Sequence, residues 1–258
     1  MAAPINTFKA ALKQGKIQIG CWAGFGDAYA TEITATAGFD WLLIDGEHAP
    51  NDLRSMSAQV QVISASSSHP IIRLPEGGDA PIKQALDIGA QTLLIPMVES
   101  ADQARAHARS MRYPPDGVRG SGAALARATL FSQITQYVET ANDQVCLLVQ
   151  LESRAGLAAL DDILTLDGVD GVFIGPSDLA VDMGYPGNTE APEVQAAIKD
   201  ALTRIAASDK AAGCLAVDDA VAKRYLDWGA QFLAVGIDVL MLANAARAKM
   251  AHWKKATA

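Results

Sequence analysis

Leu148-Val149-Gln150-Leu151-Glu152 is an apolar stretch that ends in a carboxylate, and a second apolar run, Val169 to Ile174, leads into Gly175-Pro176-Ser177-Asp178. We interpret both runs as buried strands of a parallel sheet, separated by a helix near 155–165. Pro176 suits the first position of a following helix, where open backbone N–H groups attract anions. This order of strand, helix, strand and helix is the repeating unit of an α/β fold.

The same unit repeats along the whole chain. The predicted strands are Ile17–Trp22, Phe39–Asp45, Pro70–Leu74, Gln91–Pro96, Val145–Glu152, Val169–Gly175, Ala212–Val217 and Gln231–Ile237. Helical patterns separate them, with no linker and no shift in composition, so we predict a (β/α)₈ TIM barrel in one domain covering residues 1–258. The alternative is a doubly wound open sheet, but no Gly-x-Gly-x-x-Gly follows the first strand.

One segment interrupts the repeat. Residues 111–124 contain Pro114-Pro115 and several glycines, which predicts a long loop. Long loops in compact domains are usually functional or disordered. A helix is predicted over Phe131 to Thr140, before the fifth strand, and another over residues 238–253 at the end of the chain.

Composition and charge exclude several classes of function. The 258 residues are half hydrophobic, and the formal net charge is -8 with no compensating Lys/Arg cluster, which argues against nucleic acid. No apolar run reaches membrane-spanning length, so no membrane partner is expected. The 3 scattered Cys indicate buried thiols in a reducing compartment. With no signal peptide in the first residues, we expect a cytoplasmic protein.

Polar residues at the strand ends are the candidates for chemistry, because barrel active sites lie at the carboxyl ends of the strands. Strands two to six supply all of them, whereas the seventh and eighth strands end without a charged group. The candidates are Asp45, His48, Arg73, Gln150, Glu152 and Asp178.

Each candidate also has a plain structural interpretation. Glu152 and Asp178 could hold a hard divalent cation and an oxyacid, or they could only offset helix dipoles. His48 could be a loop residue that caps a helix. Arg73 lies inside an apolar strand, where an unpaired charge is costly, so it requires a carboxylate from the protein or from a ligand. Trp22 is either packing or a wall of the pocket.

Several motifs together resemble one family. They are Leu43-Ile44-Asp45-Gly46-Glu47-His48, Arg73-Leu74-Pro75, Tyr113-Pro114-Pro115-Asp116-Gly117-Val118-Arg119-Gly120, Gln150-Leu151-Glu152 and Phe173-Ile174-Gly175-Pro176-Ser177-Asp178-Leu179. The chain resembles, over its full length, the metal-dependent class II pyruvate aldolases of the HpcH/HpaI group, which cleave hydroxy-keto acids such as 4-hydroxy-2-oxoheptanedioate and 2-dehydro-3-deoxyglucarate. The resemblance implies a (β/α)₈ barrel that exchanges its last helix between subunits and assembles as a homohexamer.

The resemblance also implies roles for individual residues. Glu152 and Asp178 would bind a divalent metal, and few protein ligands with retained waters suit Mg²⁺, Mn²⁺ or Co²⁺. Arg73 would contact the keto oxygen, and His48, positioned with Asp45, would act as the acid/base through a metal-bound water. The implied acid from a neighbouring subunit matches Asp87. The implied substrate contacts are Trp22, Val118, Arg119, Gln150, Gly175, Pro176, Ser177 and Leu215.

The implied reaction is reversible aldol cleavage of a 4-hydroxy-2-oxo acid to pyruvate, or hydroxypyruvate, and an aldehyde. The developing enolate oxyanion is the high-energy species of this reaction, and a divalent cation and Arg73 would stabilise it. A Schiff-base aldolase would need a lysine inside a strand, and no predicted strand core holds one. Two alternatives stay open: a lyase of malyl- or citryl-type thioesters on the same barrel, and a non-catalytic keto-acid-binding protein.

Overall fold

Eight parallel strands close into a barrel in the computed structural model, which describes residues 1–257. The strands are β1 (Gln18–Ala23), β2 (Trp41–Asp45), β3 (His69–Arg73), β4 (Thr92–Ile95), β5 (Cys146–Leu151), β6 (Gly171–Ile174), β7 (Ala211–Leu215) and β8 (Phe232–Ile237). Each pairs with the next, and β8 pairs with β1. The predicted barrel is therefore confirmed.

Helices follow each strand and cover the outside of the barrel. They are α1 (Thr7–Lys13), α2 (Ala28–Ala35), α3 (Leu53–Ser64), α4 (Asp79–Asp87), α5 (Ala101–Met111), α6 (Tyr137–Thr140), α7 (Arg154–Ala158), α8 (Leu160–Leu164), α9 (Pro176–Asp182), α10 (Pro192–Ala206), α11 (Asp219–Asp227) and α12 (Asp238–Ala256). Among the described residues, no helix is both long enough and apolar enough to cross a membrane.

The strand period of two divides the core into two layers. On β2, Leu42 and Ile44 pack outward against the helices, whereas Trp41 and Leu43 pack into the barrel. Helix α1 closes the amino-terminal end of the barrel with Phe8, whose ring stacks on His69. At the carboxyl end of the barrel, polar residues that end or follow the strands lie around an open cavity.

The helix predicted over Phe131 to Thr140 is wrong for most of its length, since only Tyr137–Thr140 is helical. Leu130, Phe131 and Ser132 all have positive φ values, between 49° and 73°, which a right-handed helix excludes. The apolar pattern there reflects loop packing, because Ile134 and Tyr137 are buried in a small separate cluster. The helix predicted near 155–165 is present as two short helices, α7 and α8.

The three cysteines are free and buried, as predicted. Burial raises the pKa of the Cys21 thiol to about 12, with the nearby Asp238 carboxylate adding to the shift. Helix α12 leaves large apolar side chains exposed, among them Met241, Leu242 and Trp253. Its exchange between subunits stays a prediction.

Candidate active site

A cavity of about 310 Å³ lies at the carboxyl ends of the strands. It is lined by Trp22, Gly24, Asp45, His48, Ala49, Arg73, Gln150, Glu152, Phe173, Gly175, Pro176, Ser177, Asp178, Leu215, Ile237 and Val239. Every residue predicted for the site lines it except Asp87, Val118 and Arg119. No lysine belongs to this lining within the described residues.

Arg73 lies between two carboxylates at the top of β3. Neighbouring strands place Arg73 and Asp45 side by side in register. The guanidinium donates from Nε to Asp45 Oδ1 at 3.0 Å and from Nη2 to Asp45 Oδ2 at 2.6 Å. Its Nη1 lies 2.8 Å from Glu47 Oε2, an ion pair without hydrogen-bond alignment. The carboxylate partner that the sequence required for Arg73 is thus supplied by the protein.

Burial and these contacts set the charge states of the two acids. Burial by itself raises the pKa of Asp45, but the Arg73 bonds and the backbone N–H groups of Glu47 and His48 outweigh it, so the net shift is downward. The Asp45 carboxyl group is therefore ionised at neutral pH. Burial raises the pKa of Glu47 above its usual value, although the Arg73 charge opposes that shift.

His48 lies at the rim of the cavity, on the loop that follows β2. Its backbone N–H donates to Asp45 Oδ1 at 3.3 Å, so Asp45 fixes the backbone of this residue and leaves the imidazole free. The imidazole is 66% exposed, and its Nε2 lies 3.8 Å from Glu47 Oε2. Asn51 anchors the same loop by donating to the Asp45 carbonyl at 2.8 Å. The predicted link between His48 and Asp45 therefore runs through the main chain.

Glu152 is a buried carboxylate just beyond the end of β5, only 3% exposed. Gln150 and Glu152 point the same way, as their spacing of two predicts, and Gln150 Nε2 donates to Glu152 Oε2. The other oxygen, Oε1, accepts from the Met97 N–H at 2.9 Å. Burial raises the pKa of Glu152, and the negative charges of Asp178 and Glu47 add to the shift.

Asp178 and Ser177 lie in the first turn of α9, with Pro176 at its first position as predicted. Both are exposed, and they face the same cavity as Glu152. Gly175 joins β6 to this helix, and a Cβ built on it would lie 2.5 Å from Glu152 Oε2. Only a glycine lets the start of α9 come this close to the Glu152 carboxylate.

The cavity suits a hard divalent cation. Two carboxylates share it, and one of them has a pKa raised by burial and by its acidic neighbours, so a bound cation would offset their repulsion. Gln150 Oε1 is buried there without a hydrogen-bond partner among residues 1–257. No group of three or more His, Cys, Asp or Glu side chains in that range could surround an ion. Glu152 and Asp178 would therefore leave most positions to water and substrate oxygens, as Mg²⁺ tolerates.

Three predicted residues lie away from the cavity of this chain. Asp87 ends α4, and its Oδ1 accepts a hydrogen bond from Arg119 Nη2 at 2.7 Å. The Arg119 side chain is fully buried and stacks over Tyr113, with its guanidinium carbon 4.5 Å from the ring centre. Val118 is exposed on the same loop. The predicted contacts of Asp87, Val118 and Arg119 with substrate stay predictions.

The structure also adds residues that the sequence reasoning missed. Glu47 belongs to the Arg73 cluster, and a signal for it existed, since it lies between Asp45 and His48 in the same motif. Gly24 and Val239 line the cavity, and Asp238 is buried just after β8. The strand β8 itself ends at the uncharged Ile237, as expected, but the sequence reasoning did not consider Asp238, the first residue of the helix that follows.

Comparison with known proteins places this cavity in a family. A family model described as HpcH/HpaI aldolase/citrate lyase matches residues 18–245. The chain belongs to the HpcH/HpaI aldolase/citrate lyase family. A hydroxypyruvate/pyruvate aldolase from Roseovarius nubinhibens is 65% identical over 254 residues, covering 98% of this chain and 99% of that protein. The family resemblance recognised in the sequence is confirmed.

Two further members of this family are similar to the chain, one in sequence and one in structure. A 4-hydroxy-2-oxo-heptane-1,7-dioate aldolase from Escherichia coli is 53% identical over 248 residues, covering 96% of this chain and 95% of that protein. The crystal structure of an HpcH/HpaI family protein from Burkholderia cenocepacia superimposes with a TM-score of 0.92 at 37% identity, covering 96% of this chain and 99% of that one. The barrel and its strand-end cavity therefore belong to a family that contains named aldolases.

Proposed function

We propose that the protein is a carbon–carbon lyase that catalyses divalent-metal-dependent, reversible aldol cleavage of 4-hydroxy-2-oxo acids to an aldehyde and pyruvate or hydroxypyruvate. One observation carries the proposal: a single cavity holds Glu152, Asp178 and the Arg73 guanidinium, and its lining includes no lysine among residues 1–257. The names of the relatives support it, since the protein that is 65% identical is called a hydroxypyruvate/pyruvate aldolase and the one that is 53% identical is called a 4-hydroxy-2-oxo-heptane-1,7-dioate aldolase.

Glu152 and Asp178 would hold the metal. When bound, a divalent cation supplies a Lewis acid for the oxygens of the keto acid. Hard oxygen ligands and a partly open site favour Mg²⁺, Mn²⁺ or Co²⁺ over metals that prefer thiolates. Gln150 supports this arrangement, because its amide donates to Glu152 and keeps one carboxylate oxygen in place.

The chain's own residues would bind the substrate and move its proton. The keto acid would place its carboxylate at the backbone N–H groups of Ser177 and Asp178 in the first turn of α9. Arg73, fixed by Asp45 and Glu47, would donate to the keto oxygen, where negative charge develops as the C3–C4 bond breaks. His48, at the rim, would accept the proton of the C4 hydroxyl and return a proton to the pyruvate enolate.

The wall made by Trp22, Leu215, Ile237 and Val239 would receive the aldehyde. It has few fixed polar contacts, so we expect tolerance for several short aldehydes. We also propose a cytoplasmic homo-oligomer, a hexamer by resemblance. The three free thiols fit a reducing compartment, and the exposed apolar residues of α12 offer a subunit contact.

Pyruvate release from a panel of hydroxy-keto acids tests the function. We expect release that EDTA abolishes and that added Mg²⁺, Mn²⁺ or Co²⁺ restores. Pyruvate release that resists EDTA, with metal removal verified by elemental analysis, would contradict the metal requirement. Cleavage of malyl- or citryl-type thioesters in place of hydroxy-keto acids would favour the alternative lyase. Keto-acid binding without turnover would favour a binding protein.

A further inference from the structure

Asp238 is a buried carboxylate at the mouth of the barrel that has no part in the proposed chemistry. It is the first residue of α12 and is 5% exposed. Its Oδ1 accepts from the Gly24 N–H at 2.8 Å and from the Val239 N–H at 2.6 Å. Its Oδ2 is buried without a hydrogen-bond partner within residues 1–257. Burying a carboxylate is costly in free energy, so the buried position of Asp238 calls for a structural or functional reason.

These two bonds join separate parts of the cavity wall. Gly24 follows β1 and Val239 belongs to α12, and both line the cavity, whereas Asp238 lies behind them. The loop that begins at Gly24 also reaches the segment that carries His48. Gly26 has φ +70°, and a Cβ on it would lie 2.9 Å from the Pro50 carbonyl oxygen. Residues 24–26 are therefore held at one end by Asp238 and packed at the other against Pro50.

The wall fixed in this way differs chemically from the rest of the cavity. Arg73 ends β3, Glu152 follows β5 and Asp178 lies at the start of α9, and this is the side where the keto acid would bind. The side of the cavity formed by β7, β8 and β1 presents Leu215, Ile237, Val239 and the Gly24 backbone. It carries no charged side chain among the described lining residues, so it suits the carbon chain of an aldehyde.

We propose that Asp238 is a positioning residue that sets the aldehyde specificity and affinity of the enzyme by holding the Gly24 loop against the start of α12. The inference rests on the proposed aldolase function. It separates two steps of that function. Forming the enolate of pyruvate needs only the side of the cavity with Arg73, Glu152 and Asp178. Adding the aldehyde also needs the uncharged wall formed by β7, β8 and β1. Loss of Asp238 leaves the first step intact and weakens the second.

The test compares Asp238→Ala and Asp238→Asn with wild type and with Asp218→Ala, all as full-length, metal-loaded protein. Asp218 is a matched control, because it also accepts from two backbone N–H groups at the start of a helix after a strand but is not among the residues that line the cavity. Deuterium exchange at the methyl group of pyruvate reports the first step. Aldol addition of pyruvate to propionaldehyde gives the aldehyde KM and kcat.

For Asp238→Ala we expect the aldehyde KM to rise about tenfold, the effect of losing the charge-assisted hydrogen bond that holds Gly24 in the wall, with methyl exchange within about twofold of wild type. Asp238→Asn keeps an acceptor oxygen and should return the KM to within about threefold of wild type. Asp218→Ala should change neither quantity. Methyl exchange that falls together with the aldol rate, or an unchanged KM in Asp238→Ala, would overturn the inference.

Two further readouts keep the test decisive. If Asp238→Ala does not fold, amide hydrogen exchange of residues 22–27 in Asp238→Asn replaces it, with faster exchange expected at Gly24 because a neutral amide is the weaker acceptor. Unchanged exchange there would overturn the inference. A wild-type protein that neither exchanges pyruvate nor forms the aldol would overturn the proposed function itself, an outcome distinct from an altered ratio between the two steps.

Discussion

Arg73 and Asp45 form a buried, two-pronged ion pair between neighbouring strands, with N–O distances of 3.0 and 2.6 Å. Their side chains are only 8% and 7% exposed. The planar guanidinium matches the two carboxylate oxygens, so the pair fixes the direction in which Arg73 presents its remaining N–H groups. Asp45 thus acts on the site through Arg73 and through the backbone of His48.

Asp45→Asn should lower the free energy of unfolding by about 3 kcal/mol, because removing one partner of a buried pair leaves the other charge poorly compensated. Chemical denaturation at fixed protein concentration measures the change. Asp227→Asn is the control, since Asp227 pairs with Lys223 on the surface of α11 and such pairs contribute about 0.5 kcal/mol or less. Equal effects of the two substitutions would contradict the buried role.

Gly175→Ala should reduce metal affinity and turnover by about 10- to 100-fold, the usual effect of disturbing residues around a metal site. The new methyl group would lie 2.5 Å from Glu152 Oε2 and 2.9 Å from Glu152 Cβ, so the carboxylate must move. Isothermal titration with Mn²⁺ measures the affinity. Gly120→Ala is the control, because its Cβ would meet only Lys83 at 3.6 Å. Wild-type Mn²⁺ affinity in Gly175→Ala would show that Glu152 does not bind the ion.

The barrel and most of its site could be predicted because both follow from local signals. Eight apolar runs alternating with helices define the barrel, and the carboxyl ends of β3, β5 and β6 bring Arg73, Glu152 and Asp178 to one cavity. The helix expected over 131–140 could not be predicted correctly, since its apolar residues pack in a loop with positive φ values. Asp238 was missed because its burial depends on Gly24, which lies far away in sequence. Asp87 lies outside the cavity of this chain, paired with Arg119, and its role at the site of a neighbouring subunit stays a prediction.

His48→Ala should keep metal and pyruvate binding but slow deuterium exchange at the pyruvate methyl group by roughly two to four orders of magnitude, as expected for a lost general base. This readout does not depend on the choice of aldehyde. If His48 is only a loop residue beside the cavity, exchange will stay near the wild-type rate while circular dichroism shows an intact fold. That result would remove His48 from the proposed proton transfer.

Glu152→Ala should give the opposite pattern. Metal binding should weaken, and excess metal should restore part of the rate, because the lost group builds the site and does not move the proton. Exchange measured across a range of Mn²⁺ concentrations separates this behaviour from that of His48→Ala, whose rate should not respond to added metal. A Glu152→Ala protein with unchanged Mn²⁺ affinity would rule out Glu152 as a ligand.

His69 should make the fold sensitive to acid. Its ring is buried at the closed end of the barrel, stacked on Phe8, with Nε2 2.8 Å from Thr92 Oγ1. Burial lowers the pKa of His69 from 6.5 to about 4, so the unfolded chain binds the proton more tightly than the folded one. Stability is therefore full above pH 6.5 and falls as the pH drops from about 6.5 to about 4. The loss at pH 4.5 is about 2 to 3 kcal/mol, from about 1.4 kcal/mol per pKa unit.

Other groups also titrate in this pH range, so the test compares the unfolding free energy of the wild type with that of a variant that lacks His69. Unfolding free energies of wild type and His69→Gln are measured by denaturant from pH 7.5 to 4.5 at one protein concentration, because an oligomer's stability depends on it. Glutamine can still bond to Thr92 but does not titrate. We expect the wild type to lose about 2 to 3 kcal/mol relative to His69→Gln on acidification. His252→Gln, at an exposed position on α12, should follow the wild type throughout. A wild-type minus His69→Gln difference that does not change with pH would mean that His69 is not held neutral by its burial.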